Sequence, residues 1–219
     1  MTVVDVTIAI INFNRSAFVG RAIRSCVNQV SDGLKLEVVV VDDGSTDNSA
    51  EIIQSFKGIR FIPIGSNRGV GFASSVALRE AEGRFFMRVD SDDFIGRDSC
   101  RILASILDQA DEFGFSYGDV RKVFDESGHR ETVPLADKKS LYEHGAGVLF
   151  RTAVVRDVGG YDENLRNCED LDLFLRLERN GVKGIRLPIP LYRYHIHSSN
   201  TSLEASRADF RQAVYARYE

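Results

Sequence analysis

Apolar residues along this chain switch repeatedly between strand-length runs and helical spacing. Val6–Ile11 is a continuous apolar-rich run of the kind carried by a strand buried on both faces. Ser16 stands where it would cap the following segment, in which Phe18, Val19, Ala22, Ile23, Cys26 and Val27 recur at helical spacing. Glu37–Val41 reads as a second buried strand that stops at Asp42-Asp43-Gly44-Ser45, after which Asp47 would cap a helix carrying Ile52, Ile53 and Phe56. Ile59–Ile64 predicts a third strand, Val70–Ala81 a third helix and Phe85–Val89 a fourth strand. This alternation predicts a parallel sheet with helices on both faces. Beyond it the pattern loosens. Arg101–Leu107 reads as a helix, Phe115–Phe124 as a strand, Asp125–Lys139 as a polar loop, Glu169 to Asn180 as a helix and Ile185–His195 as a strand pair. A terminal amphipathic stretch puts Leu203, Phe210 and Val214 on one side.

Composition narrows the class. The 219 residues suit one α/β domain, with 43% hydrophobic and 27% charged residues in a globular balance. Net charge is −4, without the basic surplus of a nucleic-acid-binding domain. No apolar run approaches the roughly 20 residues that span a bilayer. The N-terminus lacks the basic start of a secretory signal. Three scattered cysteines (Cys26, Cys100, Cys168) fit neither a disulfide framework nor a zinc site, and they point to a reducing, cytoplasmic setting.

Two acidic clusters fall just past predicted strand ends, Asp42-Asp43 after the second and Asp90-Ser91-Asp92-Asp93 after the fourth. That edge of a parallel sheet is where ligands bind. So many carboxylates together call for a cation, and hard oxygen ligands suit Mg²⁺ or Mn²⁺ with substrate phosphates. A turn explains Asp47 well but explains three carboxylates in four positions poorly. Gly65-Ser-Asn-Arg-Gly69-Val-Gly71 looks like a phosphate-binding turn, yet it follows the third strand rather than the first. Downstream, Gly159-Gly160-Tyr161-Asp162-Glu163 precedes Glu169-Asp170, an acidic pair opening a helix whose buried face is Leu171, Phe174 and Leu175.

The ordered set resembles the inverting family 2 glycosyltransferases of the GT-A fold. Its pieces are Asn12-Phe13-Asn14, Val-Val-Val-Asp-Asp-Gly-Ser-Thr-Asp, Asn67-Arg68-Gly69, Asp-Ser-Asp-Asp, Gly-Gly-Tyr-Asp-Glu with Glu-Asp, and Tyr-Arg-Tyr-His-Ile-His-Ser-Ser-Asn-Thr-Ser. The resemblance runs from Val6 to about Ser202. It implies a single Rossmann-like α/β domain, with a nucleotide-sugar half to about residue 95, an acceptor and catalytic half to about 202, and a terminal helix over 203–219. By the same resemblance Ile11, Phe13 and Asn14 line the nucleotide pocket, with Arg68 beside it. Asp43 accepts from a base such as uracil, Asp92 approaches the ribose or metal, Asp93 is the main metal ligand and Asp90 supports the loop. Asp170 is the catalytic base, oriented by Glu169, and His197, with His195 as the alternative, reaches the metal or diphosphate. The implied cofactor is Mn²⁺ or Mg²⁺. The implied donor is a UDP-sugar, with dTDP next, and the acceptor is a carbohydrate, glycolipid or glycoprotein, with no nucleic acid.

Two positions depart from the family pattern: Ala73-Ser74-Ser75 replaces a common Ala-Arg-Asn, and Phe13 replaces a tyrosine. Arg68 and Arg88 are the candidates to supply the missing guanidinium. The terminal stretch, with Arg207, Arg211 and Arg217, suits a helix covering the core or a subunit contact better than one lying on an anionic membrane. Two other classes share the features. A sugar-nucleotide pyrophosphorylase would carry glycines where Asn12-Phe-Asn-Arg-Ser16 has none, and a silent sugar-nucleotide-binding module would bind donor without transfer.

Overall fold

The computed structural model of the chain describes residues 3–125, 127–198, 200 and 207–218. Its front half runs β1 (Val6–Asn12), α1 (Val19–Val27), β2 (Leu36–Asp42), α2 (Ser49–Gln54), β3 (Arg60–Pro63), α3 (Val70–Glu80) and β4 (Phe85–Asp90). Its back half runs β5 (Phe94–Ile95), α4 (Ser99–Gln109), β6 (Phe113–Phe124), β7 (Arg130–Val133), α5 (Lys138–Glu143), β8 (Leu149–Arg151), α6 (Thr152–Asp157), α7 (Glu169–Arg179), β9 (Lys183–Ile196) and α8 (Arg207–Ala216).

β1 is buried at every position because it lies between two parallel neighbours, β2 and β4, with β3 outside β2. Right-handed crossovers put α1 and α2 on one face and return α3 across the other, and α1 packs against α2. Among the described residues one sheet continues through both halves in the order β3-β2-β1-β4-β8-β6-β9-β5, with β7 beside β6. β8 pairs antiparallel to both β4 and β6, and so splices the parallel block to the back half.

The back half departs from the sequence reading in two places. The expected polar loop over 125–139 contains β7, which pairs with β6 as a hairpin partner carrying few apolar residues. The expected strand pair near Ile185–His195 is one strand, β9, parallel to β6. Pro188 and Pro190 suggest a break, but the register shifts between Gly118 and Val120 absorb them as an irregularity within the ladder. Ser16 makes no side-chain cap, since α1 starts after Phe18. Asp47 instead accepts from the backbone N–H of Ser49 (2.9 Å) and of Ser16 (2.9 Å), tying two helix starts together.

The core is continuous across the splice. Phe150 on β8 is 1% exposed, and its ring lies 5.5 Å from Phe115 and 5.9 Å from Phe174 between centroids. α8 carries Phe210 and Val214 against Leu165, Cys168 and Leu171, so the terminal helix covers the start of α7. Leu203 lies outside the described residues. No helix among the described residues is long and apolar enough to cross a membrane.

Truncating Phe150 would open a cavity where the two halves join. Phe150→Ala is expected to lower the unfolding free energy by about 3–5 kcal/mol, read as a lower urea midpoint with unchanged slope.

Candidate active site

A cavity of about 710 Å³ opens where β1, β2 and β4 end, a volume within the usual range for small-molecule sites. The strand ends deliver its first carboxylates. Asp42 is spent on the turn: it accepts from the Asn12 side-chain amide (2.6 Å), from the Ser45 backbone N–H (3.1 Å) and from the Ser45 hydroxyl. Asp43 faces the cavity and accepts from the backbone N–H of Arg68 and of Gly69, both at 2.8 Å. Burial pushes its pKa up, against the pull of those two N–H donors. Each of its oxygens keeps a second lone pair for a ligand N–H.

The centre of the site is Arg88, a charged residue inside the apolar run Phe85–Val89 of β4 and only 3% exposed. Its guanidinium donates to Asp170 at 2.6 Å and to Glu169, and lies 3.4 Å from Asp90. Burial works against its charge, but Asp170, Asp90 and Glu169 outweigh that and raise its pKa further. It also donates to the Ser74 hydroxyl at 3.3 Å. Ser74 on α3 is fully buried, and the Arg88 guanidinium reaches it from β4. Gly145 lets the chain pass: a Cβ there would sit 2.4 Å from the Asp170 side chain.

The Asp90–Asp93 cluster divides its labour. Asp93 is 1% exposed, accepting from the Tyr192 hydroxyl (2.7 Å) and from the His195 backbone N–H (2.8 Å), so it pins β9 to the turn after β4. Burial, with Asp92 and Asp90 nearby, raises its pKa well above the usual carboxylate range. Asp92 accepts from Arg15 (2.9 Å) and faces the His197 ring nitrogen at 3.2 Å. His197 stacks on Phe18, with ring centroids 4.4 Å apart. His195 points elsewhere, to Asp125 at 3.1 Å, and burial lowers its pKa, as does Arg21.

The cavity wall therefore holds Ile11, Phe13, Asn14, Asp43, Asp90, Asp92, Asp93, Glu169 and Asp170. Asn14 adopts a left-handed backbone (φ 50°) and accepts from the Thr46 N–H at 2.8 Å. Arg68 is not part of the wall; its guanidinium lies over the Phe72 ring, 3.4 Å from the centroid. His197 reaches the wall through Asp92. Sequence reasoning missed Arg15, Tyr192 and Arg166 and gave Arg88 only a substitute's part. For Arg88 a signal existed, a charge inside the apolar run Phe85–Val89. Tyr192 offered none, because its role depends on a β9 register that the prolines obscure.

As to a metal, no three His, Cys, Asp or Glu side chains among the described residues converge on one ion-sized point. The oxygen of Asp92 with the nitrogen of His197 is a one- or two-ligand set, which fits an ion such as Mn²⁺ or Mg²⁺ only if substrate phosphates complete its shell.

Residues 7–159 match the family model described as Glycosyl transferase family 2. The chain is 29% identical over 211 residues to chondroitin synthase of Escherichia coli, covering 91% of this chain and 30% of that protein. It is 34% identical to the succinoglycan biosynthesis protein ExoO of Rhizobium meliloti, covering 90% of this chain and 62% of that protein. It thus spans less than two thirds of either relative. Among solved structures, Staphylococcus aureus TarS 1–349 in complex with UDP-GlcNAc superposes with a TM-score of 0.79 at 21% identity, over 97% of this chain and 66% of that one. The fold is GT-A, as the motif order implies.

Replacing Arg88 by an apolar side chain would leave three carboxylates without their shared cation. Arg88→Met is expected to cost about 3–5 kcal/mol of stability near neutral pH. The orphaned acids would have raised pKa values in the folded state, so their penalty grows as pH rises and shrinks as pH falls. Urea titrations of variant and wild type at about pH 7 and about pH 5 test both the size and the sign.

Proposed function

The chain belongs to glycosyl transferase family 2, and from that membership we propose that it moves a sugar from a nucleoside diphosphate donor to an acceptor hydroxyl, with inversion at the anomeric carbon. The observation that carries this reading is a single cavity that holds the Glu169–Asp170 pair together with the strand-end carboxylates Asp43, Asp90 and Asp92. UDP-GlcNAc in the TarS complex makes a UDP-sugar the first donor to try. Asp43, an acceptor already fixed by two backbone N–H groups, suits the N3–H of uracil or thymine. Ile11 and Phe13 offer apolar surface to the base.

Chemistry falls to α7. The acceptor oxygen attacks the anomeric carbon, its proton passes to the Asp170 carboxylate, and the bond to the donor phosphate breaks on the opposite side. Arg88 holds Asp170 in place through charge-assisted hydrogen bonding. Glu169 shares that cation and orients the pair. Asp92 and His197 are the residues to hold a divalent cation. When bound, such an ion neutralises charge on the leaving diphosphate. Asp93 is the most buried of these acids and braces β9 through Tyr192 and His195, so it is assigned to the loop and Asp92 to the ion.

Two measurements test this. UDP release from UDP-GlcNAc, with Mn²⁺ and a panel of saccharide acceptors, should fall about 10²–10⁴-fold in Asp170→Asn, while melting temperature and UDP affinity hold. Near-wild-type turnover would remove Asp170 from the mechanism. By calorimetry, Asp92→Asn should weaken Mn²⁺-supported UDP binding, whereas Asp93→Asn should act mainly on melting temperature. The reverse pattern would return the metal to Asp93.

A further inference from the structure

The charges lining the cavity are unequally committed. Arg15 is paired with Asp92, Arg88 with Asp90, Glu169 and Asp170, and Arg211 with Glu143 at 3.1 Å. Arg166 also lines the cavity, is exposed, and makes no ion pair with a carboxylate among the described residues. Its place is fixed nonetheless. Its guanidinium donates to the Asn67 side-chain oxygen at 3.1 Å, and its stem lies on Gly69, where a Cβ would approach Arg166 Cγ to 2.9 Å. The Gly71 N–H donates to the Leu165 carbonyl at 3.1 Å, clamping the segment before α7 onto the start of α3. Gly69 and Gly71, two of the three glycines that mimic a phosphate-binding turn in the sequence, thus make room for a second loop carrying an arginine. From Arg166 to Asp170 five consecutive residues line the cavity, beginning beside Asn67, two residues from the Gly69 N–H that Asp43 accepts, and ending at Arg88.

Resting on the functional reading above, we propose that Arg166 is a binding residue for the phosphates of the donor nucleotide. A guanidinium with planar paired donors matches a phosphate edge, and it retains its charge at any working pH. The strip it heads joins the Asp43 wall, where a base would sit, to the Asp170 wall, where transfer would occur. A diphosphate must cross that interval, in a cavity whose other arginines are already neutralised by carboxylates. Lys139 also lines the cavity and makes no ion pair among the described residues, but it stands on α5 rather than on the strip that joins the two walls.

The test separates phosphate recognition from loop support. UDP and uridine are titrated into wild type, Arg166→Ala and Arg166→Lys with Mn²⁺ present, uridine by competition against UDP. Loss of a charge-assisted contact should weaken UDP binding in Arg166→Ala by about tenfold or more. Uridine binding should not change, and Arg166→Lys should recover part of the loss. Equal losses for UDP and uridine, or no loss for UDP, would overturn the assignment while leaving the donor reading intact. Wild type that binds none of UDP, dTDP and GDP would overturn both.

Discussion

The buried guanidinium of Arg88 is the constraint around which the site is organised. A cation at 3% exposure in a parallel strand is tolerable only if its charge is met, and three carboxylates from two distant stretches of chain meet it. Asp90 comes from the same strand, whereas Glu169 and Asp170 open α7 about eighty residues later. The pairing therefore does what sheet hydrogen bonds do not: it registers the start of α7 against the end of β4. The chain between them has to comply, with Gly145 passing close to Asp170 and Ser74 keeping its side chain small beside the guanidinium.

Around that centre, acids of similar appearance have been given different physical work. Asp42 closes a turn, Asp93 locks β9 through a tyrosine hydroxyl and a backbone N–H, and Asp43 anchors the loop before α3. Each satisfies otherwise costly buried donors. Asp92 lines the cavity and faces an arginine and a histidine there. The most buried of these acids, Asp42, Asp43 and Asp93, all brace the backbone, and Asp43 faces the cavity as well.

The back half, irregular as it looks, is bound to the front by shared core. β8 pairs with both β4 and β6, and Phe150 with Phe115 and Phe174 fills the junction. α8 adds a smaller cluster over Leu165, Cys168 and Leu171, and Tyr218 donates to Asp172 at 2.6 Å. The segment bearing Arg166 and the acidic pair is therefore held from both sides, by α3 beneath and α8 above.

What the sequence by itself determined was the parallel block and its motifs. Apolar runs such as Val6–Ile11 and Val38–Val41 are long and uninterrupted because both faces of those strands are covered, and burial of that kind writes itself into local pattern. The acids past β2 and β4 were legible for the same reason, since strand ends fix where they emerge. Only the tertiary structure decided which acids brace the backbone, that β9 is one strand through two prolines, and that Arg88 and Arg166 line the cavity. Those facts depend on contacts between residues up to about a hundred positions apart, such as Arg166 with Asn67 and Tyr192 with Asp93. Local periodicity carries no record of a partner that far along the chain, because such pairs are chosen by packing rather than by the residues beside them.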